Sequence, residues 1–252
     1  MRLNEERTGG GDGRPLLIAH GLFGSARNWR SVAKRLGEGR EVVTVDLRNH
    51  GDSPWDDDAS YDALAGDLAG TVEAMGGRAD VLGHSMGGKA AMRLALTRPD
   101  LVERLVVADI APVAYGHSQQ HLIDAMRAVT PAAGMSRGAA DRALAARVDE
   151  PGVRAFLLQS LDRAEGRWVL NLDALEAGMA GILGWPETDA RFEGPVLVVA
   201  GGASDYVRPE HRETIRALFP AARVATLPGA GHWLHAEAPE AFVETVRLFL
   251  DA

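Results

Sequence analysis

Residues 79–89 read Ala-Asp-Val-Leu-Gly-His-Ser-Met-Gly-Gly-Lys. The run 79–82 has the length and content of a buried strand, and residues 89–97 continue in a pattern compatible with a helix. Strand, sharp turn and helix form the setting in which a Gly-x-Ser-x-Gly elbow lifts a serine above a sheet. Side chains two residues to either side would crowd the neighbouring strand and helix, so Gly83 and Gly87 meet a steric need. The N–H of Met86, at the first turn of the following helix, is then directed toward negative charge developing on a group that Ser85 attacks.

Outward from this stretch the same rhythm recurs. Short apolar runs at 16–19, 42–45 and 105–108 alternate with helix-compatible segments, as expected of strands buried on both faces and joined by crossover helices. The rhythm stops near Pro112 and resumes at Pro195, with strands expected over 196–200 and 223–227 and a closing helix from Pro239 to Leu250. In between, Leu122, Ile123, Met126 and Val129 recur at helical spacing, as do Leu144 and Val148, then Phe156, Leu157 and Leu161. The expected fold is α/β, a mostly parallel central sheet flanked by helices. Residues 1–111 and 187–252 form its core, and 112–186 form a helical insertion. Gly9-Gly10-Gly11 precedes no phosphate-binding helix and is expected to be a turn between abbreviated first strands.

The 252 residues suffice for one domain carrying such an insertion. A net charge of −8, from 27 basic and 35 acidic residues, argues against a nucleic-acid or anionic-membrane surface. Cysteine is absent, which removes disulfides, thiolate nucleophiles and cysteine-ligated metals. The polar opening stretch has no apolar core of signal-peptide length, and no run reaches the roughly 18–20 apolar residues of a membrane span. A cytoplasmic protein without a membrane span is the expectation.

A serine needs a base to act as a nucleophile. His232, in Gly229-Ala230-Gly231-His232-Trp233, follows the last expected strand and precedes the closing helix, which suits the chain order Ser…Asp…His. His235 competes but lies nearer that helix. His20-Gly21-Leu22-Phe23-Gly24 follows the strand at 16–19, where a second oxyanion donor is expected. Leu22 is the choice for that N–H and Phe23 the alternate, with His20 as a hydrogen-bonded anchor of the loop. Two aspartates, Asp109 and Asp205, each follow a strand closely enough to orient the imidazole.

These segments resemble the α/β-hydrolases, and more narrowly the bacterial short-chain acyl esterases of the YbfF type and their mitochondrial relatives. The resemblance rests on residues 20–25, 46–54, 83–89, 109–113, 201–207 and 231–233, which span nearly the whole chain. It implies a helical cap over 112–186, hydrolysis of small-molecule esters or thioesters through an acyl-enzyme, and no cofactor or metal. Most of the superfamily carries the acid where Asp205 stands, whereas the narrower family carries it where Asp109 stands and often lacks a carboxylate at the later position. The resemblance therefore favours Asp109. Other readings that use the same residues are a cofactor-free perhydrolase, a carbon–carbon bond hydrolase and a ligand-binding receptor.

The remaining signals have structural readings. Asp46-Leu47-Arg48-Asn49-His50-Gly51 suits polar side chains tying down a turn, and Lys89 suits packing or a salt link. His117 and His121 have a metal-capable spacing but no accompanying glutamate, so the cap surface or pocket rim is expected for both. Trp168, Trp185, Met126, Met179 and Phe156 are expected to be mostly cap core, with some lining an acyl pocket.

Overall fold

In the computed structural model, which describes residues 1–252, the chain opens with strand β1 (Asn4–Ala19), helix α1 (Arg30–Leu36), β2 (Glu38–Asp46) and α2 (Tyr61–Ala74). It continues through β3 (Ala79–His84), α3 (Met86–Thr97) and β4 (Val102–Ala108). Helices α4 (Gln120–Ala128), α5 (Arg137–Ala145) and α6 (Pro151–Leu157) follow, then a two-stranded ribbon of β5 (Leu161–Asp162) and β6 (Arg167–Trp168), then α7 (Leu172–Ala177) and α8 (Met179–Leu183). The sheet resumes with β7 (Val196–Gly201), α9 (Arg212–Leu218) and β8 (Ala222–Leu227), and the chain closes with α10 (Leu234–Glu237) and α11 (Pro239–Leu250).

The six-stranded sheet has the order β2-β1-β3-β4-β7-β8, with parallel pairing from β1 across to β8. Side-chain alternation sorts its residues into two layers. Leu16 and Ile18 pack with Trp29, Val32, Phe242 and Val246 on the face covered by α1 and α11. Leu17 and Ala19 pack with Leu64, Leu68 and Leu94 on the face of α2 and α3. Every residue of β3 and β7 is buried, which explains why both strands read as unbroken runs rather than as alternating patterns.

The first strand departs from expectation. Residues 4–9 pair antiparallel with β2, from Asn4↔Asp46 to Gly9↔Glu41, whereas from Leu16↔Val42 to Ala19↔Val45 the two registers ascend together. Val42 thus has Thr8 on one side and Leu16 on the other. The glycines let one continuous element double back around β2: Gly9 holds φ +79°, and a Cβ there would stand 2.4 Å from the Gly37 carbonyl oxygen.

Between β4 and β7 the regular elements are short helices apart from the ribbon, joined by loops. Ser136 caps α5 by accepting from the Ala139 N–H, Pro151 occupies the first turn of α6, and Asn171 caps α7 by accepting from the Ala174 N–H. Polar links tie these helices to the sheet half. Tyr61 Oη donates to the Ile182 carbonyl at 2.6 Å, Ser160 Oγ donates to the Phe23 carbonyl at 2.8 Å, and the Gly51 N–H donates to the Val169 carbonyl at 2.8 Å. No helix is long and apolar enough to cross a membrane.

Candidate active site

Ser85 joins β3 to α3 with φ 51° and ψ −119°, a conformation that costs a non-glycine residue about 1–3 kcal/mol unless its surroundings enforce it. The surroundings do. A Cβ on Gly83 would stand 2.2 Å from the Gly87 carbonyl oxygen, and one on Gly87 would stand 2.3 Å from the His20 carbonyl oxygen. The elbow is closed by the Ser85 N–H donating to the Ala108 carbonyl (3.1 Å) and the Lys89 N–H donating to the Ser85 carbonyl (3.0 Å).

The loop after β8 carries His232 to this serine. Its Nε2 lies 3.0 Å from Ser85 Oγ, where the hydroxyl donates, and its Nδ1–H donates to Asp109 Oδ2 at 2.8 Å. Asp109 directly follows β4, is fully buried and holds φ 49°. Its Oδ1 accepts from the Gly201 N–H at 2.8 Å, and Ser204 Oγ donates to its Oδ2 at 2.5 Å. Asp205 stands four residues past the end of β7, exposed, with its backbone carbonyl accepting from Arg208 Nε and its carboxylate making no hydrogen bond. Of the two candidate acids, Asp109 alone touches the imidazole.

Four further histidines surround the site without touching Ser85 Oγ. His235 stacks on Trp29 at 4.2 Å, and burial pushes its imidazole down to about 3. Burial also holds His84 well below the ordinary value, with the neighbouring His232 and His235 adding to the effect, while its Nε2–H donates to the His232 carbonyl at 2.9 Å. On the other side, His20 Nδ1–H donates to the Gly21 carbonyl (2.7 Å) and its Nε2 accepts from the Leu47 N–H (3.0 Å). His50 donates to the Arg48 carbonyl and accepts the Phe23 N–H at 3.2 Å; burial pushes it down to about 3. With these imidazoles kept neutral, the Asp109 carboxylate is the one formal charge against His232.

The Phe23 N–H is therefore taken up by His50 and is not free for an oxyanion. The Leu22 N–H makes no hydrogen bond, and the Met86 N–H begins α3, where no partner exists within the helix. The 46–51 turn is tied as expected: Asp46 accepts from the N–H groups of Ala26 and Asp52, and Arg48 Nε donates to Asp67 Oδ2 at 2.6 Å.

A cavity of about 420 Å³ opens over Ser85, between the elbow and the helices of 112–186. Its apolar wall includes Leu22, Met86, Ile110, Leu122, Phe156 and Trp233. Of the aromatic and methionine residues singled out in the insertion, Phe156 alone reaches it. Trp168 and Met126 are buried in the insertion's own core, where Trp168 Nε1 donates to the Met126 carbonyl at 3.0 Å. His121 lies on the cavity rim, and no group of three or more His, Asp or Glu side chains is close enough to hold a metal ion.

Sequence reading overlooked two neighbours, and the salt link considered for Lys89 is absent. Ser204 lies beside the residue chosen from its segment, Asp205, and Tyr206 lies just beyond it, with its ring stacked on His232 at 3.9 Å. Lys89 is almost fully buried with no carboxylate partner. Its Nζ donates to the carbonyls of Leu183 (3.0 Å) and Gly184 (2.6 Å) at the end of α8, and burial pushes the ammonium down to about 7. A lysine one turn into an elbow helix signals some fixed contact, but only the fold identifies α8 as its partner.

The family model described as "Alpha/beta hydrolase family" matches residues 16–245. The chain is 47% identical over 247 residues to the mouse protein named sn-1-specific diacylglycerol lipase ABHD11, covering 93% of this chain and 80% of that one. It is 39% identical over 240 residues to esterase YbfF of Escherichia coli, covering 94% and 93%. A solved structure titled "Marine microorganism esterase" superposes with a TM-score of 0.94 at 37% identity, covering 98% of this chain and 99% of that one.

Proposed function

The chain belongs to the alpha/beta hydrolase family, and from that premise we propose that it hydrolyses carboxylic esters, and thioesters of the same acyl groups, through an acyl-enzyme on Ser85. The observation that carries the reading is one imidazole within hydrogen-bond reach of both a strained serine and a buried carboxylate. Ser85 Oγ attacks the acyl carbon as its proton passes to His232 Nε2. Asp109 holds the Nδ1–H tautomer and stabilises the imidazolium. The Leu22 and Met86 N–H groups receive the carbonyl oxygen as it becomes negative, a contribution of about 10²–10³ in rate per donor. Collapse of the tetrahedral adduct breaks the bond to the alcohol or thiol, which takes the proton from Nε2. A water then gives its proton to His232, attacks the acyl carbon and frees the acid and the serine.

The substrate range is read from the cavity. Its volume of about 420 Å³ lies toward the smaller end of ligand pockets, and its apolar wall suits short to medium acyl chains. Residues 112–186 act as a cap that selects the chain, and Phe156 is its most direct probe. The relatives named esterase and lipase support ester chemistry over the perhydrolase, carbon–carbon and receptor readings. A series of p-nitrophenyl esters from acetate to dodecanoate, run beside acyl thioesters, tests the proposal. A burst of one product per chain is expected, with kcat/KM highest at a short or medium chain. Absence of turnover on every ester and thioester would refute it.

A further inference from the structure

Tyr206 makes the closest ring contact with His232, and none of the chemistry above uses it. The two rings stack with centroids 3.9 Å apart and planes 19° from parallel. His84, the next nearest ring, stands 4.8 Å away and tilted by 40°, and Trp233 is more distant at 6.4 Å. The edge of the imidazole is held by Ser85 and Asp109 through directional hydrogen bonds, while one face is laid against the phenol ring.

Tyr206 is itself held from both halves of the molecule. Its N–H donates to Ser204 Oγ at 3.3 Å, the same hydroxyl that donates to Asp109. Its carbonyl accepts from Tyr115 Oη at 2.7 Å, and Tyr115 Oη accepts from the Ala111 N–H at 2.9 Å. Its hydroxyl lies 2.7 Å from Nε2 of His117, on the segment where the chain leaves the sheet for the cap. Burial, with the Asp109 charge second, raises the phenol above its ordinary value, so the ring stays neutral and its hydroxyl can donate to His117.

We infer that Tyr206 is a positioning residue for His232: its ring face fixes the plane of the imidazole and favours the imidazolium that forms during acyl transfer. An aromatic face attracts a cation through its quadrupole, and a stacked ring restricts rotation out of the line from Asp109 to Ser85. The first effect appears once the base has taken the proton and the second keeps the base in line to take it; neither touches substrate binding, so both belong to kcat rather than to substrate affinity. The inference rests on His232 acting as the base.

The test compares Tyr206→Leu, which keeps apolar bulk without a ring, with Tyr206→Phe, which keeps the ring without the hydroxyl. With a short-chain p-nitrophenyl ester, kcat of the leucine variant should fall about tenfold with KM within twofold. The phenylalanine variant should recover most of that loss, to within about threefold of wild type. Tyr206→Met reads the same difference if the leucine variant does not fold, with thermal midpoints measured on all chains. A leucine variant as fast as the phenylalanine one, a phenylalanine variant as slow as the leucine one, or a loss confined to KM would each overturn the inference. Ester turnover by the wild-type chain separates this failure from that of the hydrolase reading, since without it neither stands.

Discussion

Four non-glycine residues of the chain have positive φ: Phe23 (62°), Asn49 (67°), Ser85 (51°) and Asp109 (49°). All four lie in loops just beyond the ends of sheet strands, and none lies within 112–186, where the only positive values belong to Gly134 and Gly166. The two regions are therefore built on different terms. The sheet half stores local strain where a serine, a carboxylate and a loop N–H must point at one place, and it holds that strain with close backbone contacts and buried histidines. The helical half has no non-glycine residue at positive φ, is made of short helices, and meets the sheet through a few polar links. Chemistry is expected to depend on the first region, and the choice of substrate on the second.

The largest expected effect strikes the strained half. Asp109→Asn leaves the shape of the site but presents Nδ1 with a donor, and kcat at neutral pH should fall by about 10⁴ with the thermal midpoint nearly kept. A loss of only a few-fold would mean that the carboxylate is not what orients His232.

A substitution in the helical half should divide its effect by substrate. Phe156→Ala enlarges the cavity over Ser85, so kcat/KM for octanoate relative to acetate should change by about tenfold while acetate alone stays within about threefold. Equal losses at every chain length would mean that the helical half contributes to chemistry as well, and the contrast between the regions would fail.

Acid should weaken the sheet half in particular. Burial holds His50 and His235 down to about 3, below the free imidazole value, so unfolding takes up protons and their contribution, complete above about pH 6.5, is lost as pH falls toward 3. Each neutral buried imidazole adds up to about 1.4 kcal/mol of lost stability per pH unit in that window. His235→Phe, which keeps a ring against Trp29, should flatten the fall of stability with acid relative to wild type. An unchanged slope between pH 6 and 4 would show that the buried rings are not the cause. The smallest effect is expected at Asp205→Asn, with kcat within twofold, because its exposed carboxylate has no partner.

Much of this contrast was legible in the sequence. Each of the six sheet strands was expected at least in part, five from apolar runs, because strands buried on both faces leave unbroken hydrophobic stretches, and β8 from residues 223–227. Helical spacing around Leu122 and Met126 announced the insertion. The doubling back of β1 was harder to read, since Gly9 and Gly11 signal a turn but not that both arms will pair with one strand. Ser85 could be singled out because Gly83 and Gly87 have steric reasons to be there, and His232 because of its place after the last strand; the structure brings the two within 3.0 Å. The choice between Asp109 and Asp205 could not come from residue type or spacing, since both follow parallel strands. It turns on which chain end curls back under the imidazole, a matter of φ 49° at one residue and an outward turn at the other. The partner of the Phe23 N–H was hidden for a similar reason, since it is His50 from a loop 27 residues away. Trp168 and Met126 read as possible pocket residues because helical periodicity marks a buried face without saying whether a cavity or another helix covers it.

The claim on which the rest depends is that Ser85 is the nucleophile, and covalent titration with a fluorophosphonate measures it most directly. Incubation of the intact chain should place one phosphonyl group per molecule, found by peptide mass analysis on the segment containing Ser85, with ester hydrolysis lost in strict proportion to labelling. Labelling at another residue, or full labelling of Ser85 with ester turnover retained, would contradict it.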